Sequence, residues 1–345
     1  MKKEIAGQGT HRSLAVYYAA LVCVIFIWGS TPVINKYLYK VYSPTACTMI
    51  IGLCSAIALL IISRKKLRLM LSRRFLAVAV PTGLINAFAS IIQKIGLETT
   101  TPSRYSFLEN LSCIAVPILT YFFTGRRPRP IKLIGAVLCL VGCLVLTGGD
   151  AAGGGIGIGE VLCALAGIMY GVNIAATAAF AKKLYAPLYV AMHMIIQFVV
   201  SAITGVALNY IKLGGEVIEQ FRFVFDLRYI LIMIAMALVS NTLCWVVRTT
   251  VIKYIDATAV AVMMPFSAVV TGVLSVLAGT DQPTLNLLFG ALIGVFASVL
   301  VALGSDKAAP ATEESKPKPE AESTSGCPAT AAAQGDGAGD RLLTE

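Results

Sequence analysis

The sequence predicts an all-α membrane protein: ten transmembrane helices arranged as two inverted five-helix repeats around a central cavity. Three observations predict it. The chain has 345 residues, of which 57% are hydrophobic and only 13% charged, with a mean hydropathy of +0.80. One soluble core cannot hide that much apolar surface. Ten apolar segments approach the ~20 residues that a spanning helix needs. Finally, polar residues recur at matching positions in the two halves, and each half holds an odd number of segments.

The segments are 14–37, 44–63, 75–95, 102–124, 131–148, 160–181, 186–209, 228–250, 257–279 and 284–304. Most connections are short. The exceptions are a basic run, Arg64 to Arg74, and a mixed loop from Tyr210 to Leu227. The N-terminal MKKEIAGQGTHRS runs into the first segment without a small-residue cleavage site, so that segment is expected to stay as a helix. The net charge of +10 comes from short basic runs between apolar segments, the pattern of the positive-inside rule and not of a nucleic-acid surface. With the N-terminus inside, sixteen lysines and arginines fall on the inner side, including Lys2, Arg64, Arg127, Lys182 and Lys253. Only Lys40, Lys212, Arg222 and Arg228 fall outside. Both termini are therefore expected in the cytoplasm, with the chain in the plasma membrane.

The expected organisation is a cytoplasmic N-terminus (1–13), a first five-helix repeat (14–148), a Gly-rich connector (149–159), a second repeat (160–304) and a disordered cytoplasmic tail (305–345). The tail is rich in Ala, Pro, Glu, Ser and Thr and cannot bury enough apolar area to offset its ordering entropy. The glycines of GGGIGIGE lack the Lys-Ser/Thr and the βαβ context of a phosphate loop. Eight of the nine cysteines lie inside apolar segments, there is no CxxC, and only two histidines exist. They read as small buried side chains, with no metal and no cofactor.

The repeat emerges when the halves are shifted. A shift of 142 places Trp28-Gly29 on Tyr170-Gly171, Thr31 on Asn173 and Asn35 on Thr177; a shift of 155 places Asn86, Ser90 and Gln93 on Asn241, Trp245 and Arg248. Each set marks one helical face. A duplicated unit with five helices enters the membrane the opposite way round the second time, an architecture associated with a solute site near the midplane.

Three stretches carry a family resemblance. IWGSTPVINKYLYKVYSP has a Trp-Gly motif with a later lysine and a Ser-Pro opening the next span. RYSFLENLSCIAVPILTYFFTGRRP has Phe-Leu, Val-Pro and a terminal Arg-Arg-Pro. IDATAVAVMMPFSAVVTGVLSVLAGTDQPT has a proline within the helix and a closing glycine. Over about residues 14–304 the chain resembles the EamA group of the drug/metabolite transporter superfamily. It departs from that group at the glutamate often found after the closing glycine, where it has Arg126 and Asp281.

The residue singled out first is Glu109. A charge deep in hydrocarbon costs at least about 2.5–3.5 kcal/mol on insertion scales, so it normally faces a protein interior or a watery pathway. Arg104 lies about 140° around the helix from it and is not its same-face partner. Tyr105, Ser112 and Cys113 share its face. Its counter-charge is expected from another helix, with Lys36 and Arg248 the candidates, or else it is protonated in one state and couples transport to protons. Trp28 and Trp245 sit away from the helix ends, where an aromatic ring can stack on a planar or cationic solute. Arg248 shares a face with Asn241 and Trp245 and is the candidate for holding an anionic group. Asn35 lies on the Trp28 stripe. For Asn86, Ser90, Asn173 and Thr177, helix packing and pathway lining both remain open. Lys94 and Arg104 are expected to snorkel to the interface, and His193 to be a hydrogen-bonded packing residue. Pro32, Pro81, Pro117 and Pro265 supply kinks.

The expected function is secondary transport of a small organic metabolite or drug-like solute by alternating access, proton-coupled or exchanging. No ATP-binding motif is present. The alternative is a membrane-embedded enzyme, or a receptor or assembly subunit, but an enzyme would need acid-base or metal residues gathered at one membrane face. The expected partners are the solute and the lipid bilayer, with a homodimer left open and no nucleic acid.

Overall fold

A computed structural model describes residues 2–125, 130–147, 157–181, 184–210, 212–213, 216–217, 220–255, 259–260 and 263–303. The basic residues Arg126, Arg127, Arg129, Lys182 and Lys183, most of the Gly-rich connector and the C-terminal tail lie outside these residues. The helices are α1 (Lys2–Leu38), α2 (Pro44–Ile62), a 3-10 helix (Arg64–Leu71), α3 (Arg73–Thr99), α4 (Pro102–Glu109), α5 (Ser112–Thr124), α6 (Pro130–Thr147), α7 (Ile158–Phe180), α8 (Ala186–Tyr210), α9 (Leu227–Met236), a π-helical turn (Ala237–Leu243), α10 (Cys244–Tyr254), α11 (Phe266–Leu277) and α12 (Leu285–Leu303). Two-residue strands, Lys212–Leu213 (β1) and Glu216–Val217 (β2), pair antiparallel in the long loop.

Six helical stretches among the described residues are long and apolar enough to cross a membrane: Ala15–Leu38, Pro44–Ile62, Arg73–Thr99, Ile158–Phe180, Ala186–Tyr210 and Leu227–Tyr254. Phe266–Leu277 and Leu285–Ala297 are shorter apolar helices. Large apolar side chains such as Phe26, Ile61, Phe122, Leu231 and Phe296 face outward. In water such a surface would associate; in a bilayer it is solvated. The chain is a multi-pass membrane protein.

Local chemistry sets several boundaries. Ser43 accepts a hydrogen bond from the Ala46 amide, with Pro44 opening α2, and Thr101 accepts one from the Arg104 amide, with Pro102 opening α4. Ser72 caps α3 in the same way through Phe75. α5 ends at Gly125 with φ 68°, a left-handed C-cap that favours glycine. The helix α1 runs from Lys2 to Leu38.

The stretch 102–124 departs from a single continuous helix. It breaks immediately after Glu109, where Asn110 and Leu111 donate to the carbonyls of Phe107 and Leu108, both at 3.1 Å, in a tight turn before α5 begins. The Asn110 side chain donates to the Ser106 carbonyl at 2.7 Å. Gly167 of α7 is pressed against this break: a Cβ there would lie 2.6 Å from the Leu108 carbonyl oxygen and 2.8 Å from that of Glu109. A second break precedes α11, at the turn Met264–Pro265.

Helices pack mainly across the two halves: α3 on α7 and α8, α2 on α8, α6 on α12, α5 on α7, α1 on α10 and α11, and α2 on the π-helical turn. Two glycine contacts reproduce each other. A Cβ on Gly29 would lie 2.7 Å from the Ser267 carbonyl and 2.6 Å from Val270 Cβ. One on Gly171 would lie 3.3 Å from the Ser112 carbonyl and 2.7 Å from Ala115 Cβ. In each case the helix opening one half crosses the segment just after the break in the other half, with backbones close enough to need glycine.

Two apolar clusters form the ends of the bundle. One gathers Leu38, Tyr42, Ile51, Leu97, Tyr105 and Met236; the other gathers Leu21, Ile25, Val116, Ile174, Val251 and Met264, with Tyr17 against it. At the Tyr42 end, polar contacts strap helices together. Lys36 Nζ donates to the carbonyls of Leu97, Glu98 and Thr100 at 2.8–2.9 Å. Arg104 Nη1 pairs with Glu160 Oε1 at 3.2 Å, to which Thr100 Oγ1 also donates at 2.8 Å. The Ser103 amide donates to Asp281 Oδ2 at 3.1 Å. At the other end Tyr17 stacks on Tyr254, with ring centroids 4.6 Å apart, and Lys253 Nζ donates to the Leu184 carbonyl.

Candidate functional site

Between the two apolar clusters lies a cavity with about 980 Å³ of empty volume, including its opening. Helices from both halves line it. α1 contributes Trp28, Thr31, Pro32 and Asn35, one face at the spacing i, i+3, i+4 and i+7. α3 contributes Ser90, Gln93 and Lys94. The broken segment α4–α5 contributes Tyr105, Glu109, Asn110 and Ser112, and α7 contributes Tyr170. The π-helical turn and α10 contribute Ser240, Asn241, Trp245 and Arg248, and Met264 and Ser267 flank the second break.

The π-helical turn does specific work here. Its Ser240 carbonyl accepts a hydrogen bond from Trp28 Nε1 at 3.0 Å, its Ser240 hydroxyl meets Thr31 Oγ1 at 3.1 Å, and its Ala237 carbonyl accepts from Ser55 Oγ at 2.9 Å. Short π-helical insertions frequently occur at functional sites. Trp28, held in this way, lies beside Trp245 with ring centroids 5.6 Å apart and planes at 56°. The Arg248 guanidinium sits over both rings, 4.7 Å from Trp245 and 5.9 Å from Trp28, in cation–π range. Opposite, Tyr170 OH donates to Gln93 Oε1 at 3.0 Å.

Arg248 is 3% exposed, and its Nε has no hydrogen-bond partner. The carboxylate whose field reaches it is Glu109, and Gln93 is the polar side chain beside Glu109. The described ion pairs, Arg104–Glu160 and Arg222–Glu98, include neither Glu109 nor Arg248. Of the two counter-charges expected for Glu109, Arg248 shares its cavity and Lys36 does not.

Six residues singled out from sequence therefore line one cavity: Trp28, Asn35, Glu109, Asn241, Trp245 and Arg248. Three others lie elsewhere. Lys36 is committed to the carbonyls ending α3. Asn86 is fully buried outside the cavity. Asn173 donates to the Thr82 carbonyl at 2.9 Å within a packing network in which Thr82 Oγ1 meets His193 Nε2 at 3.0 Å, Tyr189 OH donates to Thr82 Oγ1 at 2.8 Å, and Thr177 Oγ1 lies 3.0 Å from Tyr189 OH. Lys94 corrects an expectation: it does not snorkel but is buried and lines the cavity. Its i+4 relation to Ser90 was the signal in the sequence. Among the described residues no three His, Cys, Asp or Glu side chains converge as metal ligands.

The sequence matches the EamA-like transporter family over residues 15–148 and again over 157–303. The chain belongs to that family. EamA-like membership makes it a membrane transporter of small solutes, and it is the family's double match, on either side of the connector, that spans both halves of the cavity wall. A solved structure, titled only "Crystal structure of protein", superposes with a TM-score of 0.68 over 84% of this chain and 98% of its own length, at 16% identity. At that identity the likeness concerns the fold alone. No curated protein matches the sequence.

Proposed function

We propose that this EamA-like protein is a secondary transporter that moves a small organic solute across the plasma membrane by alternating access, as ten spanning helices in two inverted five-helix repeats. The observation that carries the reading is the cavity itself: charged and aromatic groups from both halves converge in one space flanked by two apolar clusters. The packing supports the inverted repeat. Exchanging the halves turns α1 on α10 into α7 on α3, α1 on α11 into α7 on α5, and α2 on the π-helical turn into α8 on α3, and leaves α2 on α8 and α6 on α12 unchanged. The repeats run over 14–148 and 160–304, joined by the 149–159 connector. Breaks in both the fourth and the ninth segments reach the cavity, as discontinuous helices do in transporters built this way.

In this reading Trp28, Asn35, Asn241, Trp245 and Arg248 contact the solute and Glu109 is the coupling residue, taking up and releasing a proton as the cavity faces alternate sides. The test uses the purified protein in proteoliposomes with a solute first identified by thermal shift across amino acids, nucleosides, carboxylates and cationic drugs. Glu109→Gln should abolish uptake driven by a pH gradient while leaving folded protein in the membrane. Unchanged gradient-driven uptake would sink the coupling role, and no flux of any binding solute would sink the transport reading.

A further inference from the structure

We infer that the solute is a planar organic anion, an aromatic or heteroaromatic acid whose acidic group is received at Arg248 and whose ring lies against Trp28 and Trp245. The inference rests on the transport reading above for its setting, but on different observations for its content.

The first is charge. The lining contains two cationic side chains, Lys94 and Arg248, and one carboxylate, Glu109. Lys94 and Arg248 are both buried, so water screens them poorly and an uncompensated positive charge is costly. A net negative solute compensates it; a cation adds to it; a zwitterion leaves it unchanged.

The second is hydrogen-bond capacity. Two lining residues that are at most 3% exposed carry atoms with no partner: Arg248 Nε and both ends of the Asn35 amide. Two of these three atoms are donors. Buried polar groups are nearly always bonded, so the unmet demand is for acceptors, and a carboxylate supplies acceptors only. Arginine also offers a carboxylate a charge-assisted and geometrically matched partner.

The third is shape. Trp28 is fixed by its bond to the π-helical turn, and its ring and that of Trp245, 5.6 Å apart and tilted by 56°, form one aromatic pair beside the guanidinium. The pair is too close to admit a third ring between its members, so a flat ring attached to an acidic group lies along its open side with the acid at Arg248.

The test is a matched series on the full-length protein: 3-phenylpropionate, its amide, 3-phenylpropylamine, phenylalanine and 3-cyclohexylpropionate. Thermal shift reads binding, and counterflow in proteoliposomes reads transport. The phenyl acid should bind and exchange best, the cyclohexyl acid more weakly. Arg248→Gln should weaken acid binding by about tenfold or more, and Lys94→Met by a smaller factor; the wild-type series stands even if a variant fails to fold. Preference for the amine or for phenylalanine, acid binding unchanged by Arg248→Gln in folded protein, or no binding by any of the five overturns the inference. Flux of the amine without the acid overturns the anion and leaves transport standing, whereas tight acid binding without flux supports the anion and overturns transport.

Discussion

A methyl group at position 167 has no room, because the space it would take holds the carbonyl oxygens of Leu108 and Glu109, backbone atoms that cannot swing aside. Gly167→Ala should therefore push α7 away from the break that positions Glu109. Overpacking of this kind costs about 1–3 kcal/mol, readable as a lower melting temperature in detergent. Loss of uptake should exceed what that destabilisation explains, because Glu109 moves with the break. A melting temperature equal to wild type would show that α7 does not rest on this backbone. At the same scale, the stripe on α1 was legible from spacing alone, since Trp28, Pro32 and Asn35 fall on one face of any straight helix. Asn173 shows the limit of such reading: its stripe is equally clear, yet the surface it meets is the α3 backbone and not the cavity. Periodicity marks a face but not its neighbour. Lys94 was misread for a different reason. An end drawn at 95 put it near the interface, whereas α3 continues to Thr99 and holds it more than a turn inside.

Among the α-helices that line the cavity, α4 is the shortest, eight residues held at its start by Thr101, Asp281 and the Arg104–Glu160 pair. Glu160 also accepts from the Gly157 amide and so caps α7, which ties the openings of α4 and α7 to one carboxylate. Glu160→Gln keeps a cap but discards the ion pair, worth at most about 1 kcal/mol where partly exposed. The expected effect is thus on opening more than on folding. With the other cysteines replaced, Cys47, buried in the cluster beneath these straps, should react several-fold faster with a membrane-impermeant maleimide in Glu160→Gln than in the parent. Equal rates would mean the straps do not control access to that end. The break at Asn110, against which Gly167 of α7 packs closely, has no proline or glycine to mark it in the sequence; the break at Pro265 was announced by its proline.

Across the whole molecule, the pairings of helices in one half are the pairings of the other with the halves exchanged. In the proposed ten-span arrangement both chain ends lie on one side, and the lysine and arginine asymmetry leads us to expect that side in the cytoplasm. Epitope tags at the two termini should both be stained only after the cells are permeabilised; staining of either tag on intact cells would reverse that assignment. The helical class and the family were legible because hydrophobicity and short motifs are local properties of the chain. The cavity was only half legible, because its far wall comes from residues more than a hundred positions away.

The two stretches that match the family share helix pairings but not chemistry. Where one half places Gln93 and Glu109, the other places Arg248 and Met264, and Tyr170 answers Trp28. Were the halves chemically identical, exchanging their conformations would interconvert two states of equal free energy, and the empty carrier would face each side half of the time. Here the exchange moves a guanidinium and a carboxylate into unlike surroundings. In the proposed alternating-access cycle the unloaded protein would therefore favour one side over the other.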